Sequence, residues 1–216
     1  MKLDNFLVNL TNIALLINTI LYCKFYFKNG KAYKIFTIYL VFHTLVEITM
    51  SVMSKLFHYN LFVSHLYFVG QFIILSFFYS TIILNPVIKK VINVYILLAL
   101  TVLSIQYILN PKLFLIFNLL EIFITCFPLI TYSVLYLYQM LNGKKEFYLI
   151  NIGMIIYLFG STIIFLSGNI INIYLKKFTY EIWNLNIILY FFYLILIFIE
   201  WKKNYSKPIA TNELKS

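Results

Sequence analysis

Four ionisable side chains lie inside long apolar runs of this sequence: His43, Glu47, His65 and Glu121. Charge is costly in such surroundings and is seldom kept there without a use. His43 and Glu47 are four residues apart, which places them on one face of a helix, and Ser51 and Ser54 continue that stripe. Asn118, Glu121 and Thr125 share a second face, with Pro128 further along it. Asn186, Tyr190 and Tyr193 form a third stripe, and Ser161, Gly168 and Asn172 a fourth. Ser64 and Gln71 share a face, from which His65 points away by about 120° at 100° per residue.

Glu47, His65, Gln71, Asn118, Glu121, Asn172 and Asn186 are therefore the candidates for binding a ligand. Two carboxylates with a histidine could also act as acid–base groups, Glu47 and Glu121 exchanging the proton and His65 helping. A structural explanation stands beside each. Buried Asn, Gln and Ser tie membrane helices together, at about 0.6–2 kcal/mol per hydrogen bond. A lone buried Glu can sit protonated and hydrogen-bonded, because burial disfavours its charge. His65, close to the end of its run, reads as a wet boundary residue. Glu200, beside Lys202 and Lys203, reads as interfacial. Gly153, Gly160 and Ser167 recur every seven residues and suit close helix packing. The 19 tyrosines and 22 phenylalanines are expected mostly at lipid-facing and interfacial positions.

Familiar enzyme patterns are absent: there is no GxSxG, HExxH, P-loop or dinucleotide fingerprint. A membrane zinc hydrolase needs about three His or carboxylate ligands at one point. His43 lies about 20 Å below the boundary and His65 about 6 Å, too far apart to share a metal. Cys23 and Cys126 both fall in apolar runs without metal spacing. Neither a metal nor a cofactor is expected. The last run has no lysine for a retinal, and the last two runs have no histidine of the adiponectin-receptor or ceramidase kind.

These residues need elements to position them. Seven apolar runs are available, at about 6–27, 35–57, 61–84, 91–109, 113–141, 147–175 and 182–201. Turn, breaker and lysine residues separate them, among them His58-Tyr59-Asn60, Asn85-Pro86, Asn110-Pro111-Lys112 and Lys176-Lys177. Each run is long enough to cross a hydrocarbon core of about 30 Å. Lipid offers the backbone no hydrogen bonds, so the runs must be helices. The first is too long for a signal-peptide core and reads as a span. The expected fold is all-α: an integral membrane bundle of about seven transmembrane helices over residues 1–201, with a short basic tail over 202–216.

Composition agrees. Hydrophobic residues are 62% of the 216 and charged ones 11%, against about 45–50% and about 25% in soluble proteins. All 17 basic residues are lysines, and the formal net charge is +10. They occupy the gaps between runs, so they are read as topology signals and contacts to anionic lipid, with no nucleic-acid partner. Twelve lie on the side of the C-terminus and five on the other. Positive charge stays in the cytoplasm. The N-terminus is thus expected outside and the C-terminus in the cytoplasm. Glu47 and Glu121 then lie about 12–15 Å below the outer boundary. Asn169, Asn172, Asn184 and Asn186 lie within about 9 Å of it. A polar cavity open to the outside follows, more than a continuous channel.

The segments HLYFVGQFIILSFFY at 65–79 and FHTLVE at 42–47 resemble small multi-span membrane proteins of flavobacterial-type bacteria. The abundance of Ile, Asn, Lys and Tyr fits an AT-rich source of that kind. The resemblance implies a multi-pass protein of a bacterial inner (cytoplasmic) membrane and carries no activity with it.

The reading is a non-enzymatic multi-pass membrane protein, a sensor, receptor-like or accessory component with a polar cavity in the outer half. Expected partners are membrane lipid, a small or lipidic ligand from the outer side, and a cytoplasmic or membrane protein. The alternatives are an ion- or proton-coupled transporter or channel, and a membrane-embedded lipid-modifying enzyme using Glu47 and Glu121.

Overall fold

A computed structural model describes residues 2–57, 61–116, 118–141, 143, 145–174 and 179–206 of the chain, with the backbone alone at 2–5, 55, 57, 166, 168–174 and 179–181. The connections at His58-Tyr59-Asn60 and Lys176-Lys177, and the tail from 207 on, lie outside the described residues.

Seven long helices follow one another: α1 Lys2–Lys24, α2 Lys31–Phe57, α3 Leu61–Ile82, α4 Pro86–Leu109, α5 Leu119–Met140, α6 Tyr148–Tyr174 and α7 Thr179–Asn204. No strand occurs among the described residues. All seven carry a stretch long and apolar enough to cross a membrane. The chain is a multi-pass membrane protein of the all-α class.

Helix starts obey local chemistry. Asn85 caps α4, its Oδ1 accepting from the Val87 and Ile88 amides at 2.9 and 3.3 Å, with Pro86 in the first turn. Asn118 caps α5 in the same way, accepting from the Glu121 amide at 3.3 Å. The apolar run beginning at 113 thus becomes helical only from Leu119. Pro111–Leu115 forms a short 3-10 turn instead, because Asn110 and Pro111 break the α-helical hydrogen bonding. Asn118 is consequently a cap and not a mid-helix residue, and Glu121 falls in the first turn of α5.

Six helices close a ring, in the order α1, α2, α3, α5, α6, α7 and back to α1. Helix α4 lies outside it, packed mainly on α3, and its far side exposes Leu97, Leu98 and Ile108. The end of the ring carrying the α1–α2, α3–α4 and α5–α6 connections is filled by aromatic side chains. Tyr22 stacks on Tyr33 with ring centres 5.0 Å apart, Phe36 meets Phe78 at 5.5 Å, and Phe78 meets Phe147 at 5.2 Å. Ten of the 19 tyrosines are buried. The expectation that most face lipid or the interface is corrected for these: their rings are packed inside the bundle, and several of their hydroxyls find partners there. The Tyr22 hydroxyl donates to the Ile197 carbonyl at 3.2 Å, and the Tyr79 hydroxyl to Asn151 Oδ1 at 2.8 Å.

Polar side chains lock the ring. Asn18 Nδ2 donates to the Leu194 carbonyl of α7 at 3.0 Å. Asn151 of α6 receives the Ser133 hydroxyl at 2.7 Å and donates to the Ser133 carbonyl at 3.0 Å. Glu200, read from sequence as interfacial, is 1% exposed. Its carboxylate accepts the Leu149 amide at 2.8 Å and Asn204 Nδ2 at 2.5 Å, so it satisfies the otherwise unpaired start of α6.

Candidate functional site

The opposite end of the ring, where α1 begins and α2 meets α3, is less completely filled. A cavity of about 250 Å³ lies there among α1, α2, α3, α6 and α7. Helix α2 contributes Glu47, α3 contributes Ser64 and Tyr67, α6 contributes Tyr157, and α7 contributes Asn186 and Tyr190. Helical spacing explains the selection: Asn186 and Tyr190 are four apart, as are Ser64 and Phe68, so each pair turns to the same side.

Below the cavity the hydroxyls form a closed set. Tyr67 and Tyr157 are joined through their hydroxyls at 2.8 Å. The Tyr190 hydroxyl meets His43 Nδ1 at 3.1 Å, and the two rings stack with centres 5.2 Å apart. His43 is 1% exposed, and its ring also stands edge-on to Tyr67. On the walls, the Thr11 hydroxyl donates to the Leu7 carbonyl at 2.8 Å and the Ser64 hydroxyl to the Leu61 carbonyl at 2.5 Å. Glu47 is half-buried, and among the described residues its carboxylate has no hydrogen-bond or ion-pair partner. Asn186 Oδ1 is buried without a partner.

Asn12 and Glu47 also border a second space of about 280 Å³ between α1 and α2. Its rim is formed by the exposed residues Ile13, Leu16, Ile48 and Val52. The cavity is therefore bordered on its α1–α2 side by an apolar groove on the outer surface of the bundle.

His65, Glu121 and Asn118 come together elsewhere, between α3, α4 and α5. His65 Nδ1 meets Glu121 Oε2 at 2.7 Å. The Tyr107 hydroxyl of α4 lies 2.9 Å from the same His65 nitrogen and donates to Glu121 Oε2 as well. Asn118 Nδ2 donates to the Tyr107 oxygen at 3.2 Å and to Gln106 Oε1 at 3.0 Å. The Thr125 hydroxyl donates to the Glu121 carbonyl at 2.7 Å. Glu121 is fully buried, and His65 is 6% exposed and not wet. The 3-10 turn explains this: it brings Phe114 edge-on to His65 and flat on Tyr107, with ring centres at 5.8 and 4.2 Å.

Of the sequence candidates, Glu47 and Asn186 line the cavity, while His65, Asn118 and Glu121 form the separate buried cluster. The two carboxylates do not share one space. Gln71 is buried against the Tyr39 hydroxyl, which donates to its Oε1 at 3.4 Å. The side chain of Asn172 lies outside the described residues. Sequence reasoning passed over Tyr67, Tyr157, Asn12, Tyr107 and Gln106. No group of three His, Cys, Asp or Glu able to hold a metal occurs among the described residues.

Comparison of the chain with family models, with curated proteins and with solved structures finds no match.

Proposed function

We propose that this protein binds a ligand in the cavity beside Glu47 and works as a sensor, receptor-like or accessory component of its membrane, without performing chemistry. One observation carries the reading. A carboxylate without a partner among the described residues stands in a cavity walled by aromatic rings, at the end of the bundle opposite the aromatic filling. An unpaired charge in low dielectric is expensive, and ligand sites are mostly apolar hollows with a few placed polar groups.

The lysine asymmetry supports a cavity facing the outside and a basic face toward the cytoplasm. That basic face suits anionic lipid heads or an acidic surface of a partner protein. Transport is less well supported, since a carrier needs access from both ends and Phe36, Phe78, Tyr22 and Tyr33 crowd one of them. The lipid-modifying alternative loses its pairing, because Glu47 and Glu121 border different spaces.

Thiol accessibility tests this reading. In a background lacking Cys23 and Cys126, Glu47→Cys and Asn186→Cys should react with a small water-soluble thiol reagent added from the side of the N-terminus. Glu121→Cys should stay unreactive. Silence at both cavity positions, or reaction only from the C-terminal side, would contradict the outward-facing cavity.

A further inference from the structure

We infer that the ligand is an amphiphile with an ammonium head, its cation beside Glu47 and its hydrocarbon chain leaving between α1 and α2. The inference rests on the cavity reading above and specifies its ligand. Its first support is the inventory of free polar groups. The hydroxyls of Thr11 and Ser64 are spent on their own helices' carbonyls. Those of Tyr67 and Tyr157 are spent on each other, and that of Tyr190 on His43. Among the described residues the Glu47 carboxylate has no partner and is the one charged group bordering the cavity, Asn186 Oδ1 is buried without a partner, and the amides of Asn12 and Asn186 can donate as well as accept. A ligand that satisfies this carboxylate must bring donors or positive charge. Among the described residues no lysine borders the cavity or the groove.

The second support is the wall itself. Tyr67, Phe68, Tyr157, Phe165 and Tyr190 all border the cavity. Aromatic rings attract a cation through their quadrupoles, and rings gathered round one space are the usual receptor for alkylated ammonium groups. An anionic head would meet Glu47 with like charge, with no basic partner among the described residues of the walls.

The third support is size and exit. About 250 Å³ holds a head group and not a whole lipid. The groove of about 280 Å³ borders the same Asn12 and Glu47 and is rimmed by apolar side chains on the outer surface. A chain attached to the head would therefore lie where lipid tails lie, and a soluble amine would leave the groove unused.

Purified protein in detergent micelles can be titrated with octylamine, octanol, octanoate and ethanolamine while the melting temperature is followed. A ligand specific for the folded state raises that temperature by mass action. Octylamine should bind at least about tenfold more tightly than octanol, octanoate and ethanolamine, an advantage of the size that close charge pairs supply at binding interfaces. Glu47→Gln should remove that advantage and leave octanol unchanged. Equal binding of octylamine and octanol by the wild-type protein would overturn the ammonium head. If Ser64→Phe, which fills the cavity, then abolished both, the cavity reading would survive. Ethanolamine binding as tightly as octylamine would overturn the chain exit and point to a soluble amine. No binding by any of the four, or binding indifferent to Ser64→Phe, would overturn the cavity reading as well. Should Glu47→Gln fail to fold, the comparison of octylamine with octanol on wild-type protein decides alone.

Discussion

Glu121 is fully buried, and it meets a histidine and a tyrosine instead of a lysine. A cluster that only ties α3, α4 and α5 together makes a definite demand of substitutions there. Glu121→Ala leaves His65 and Tyr107 facing a hole, and breaking a buried pair costs about 3–5 kcal/mol. Glu121→Gln keeps an acceptor for His65 and should cost about 1 kcal/mol. Denaturant unfolding of both variants checks this; equal losses would show that the negative charge itself is needed. Little of this cluster was legible in the sequence. The spacing of Asn118, Glu121 and Thr125 put them on one side, but His65 is remote in sequence and Tyr107 was one tyrosine among nineteen. Periodicity reports which face a residue takes, and says nothing of which neighbouring helix that face meets.

At the scale of helices, lipid makes the sequence unusually readable. A backbone that must satisfy its own hydrogen bonds leaves one structure for a long apolar run, and seven runs became seven helices. The start of α5 was harder, because hydropathy continues through the 3-10 turn at Pro111–Leu115 while backbone geometry does not. The small-residue repeat on α6 suits close packing, and the surroundings of its two glycines agree. A Cβ added at Gly153 would lie 2.8 Å from the Tyr193 ring, and one at Gly160 would lie 2.6 Å from Leu189 Cδ1. Both neighbours belong to α7. Overpacking such a contact costs about 1–3 kcal/mol. Gly153→Leu should therefore lower the melting temperature of the purified protein, whereas Val94→Leu on the exposed side of α4 should not. An unchanged melting temperature for Gly153→Leu would mean that α6 and α7 are not in close contact there.

Across the whole molecule, the closed ring of six helices divides into an aromatic-filled end and an end that holds a cavity. The sequence groups Glu47, Glu121, His65, Asn169, Asn172, Asn184 and Asn186 in one outer polar half; of these Glu47 and Asn186 line the cavity, while Glu121 and His65 pair in a separate cluster. It did not anticipate that tyrosines would wall the cavity, since an amphipathic ring suits the membrane interface as well as a polar interior. A cavity with this lining should hold a ligand taken from the membrane. Native mass spectrometry of protein extracted from its own membranes tests it most directly. Wild type should carry a bound mass that both Ser64→Phe and Thr11→Phe lose, since each substitution fills the cavity from a different wall. Identical bound masses in all three proteins, or none in any of them, would show that the cavity holds no membrane ligand.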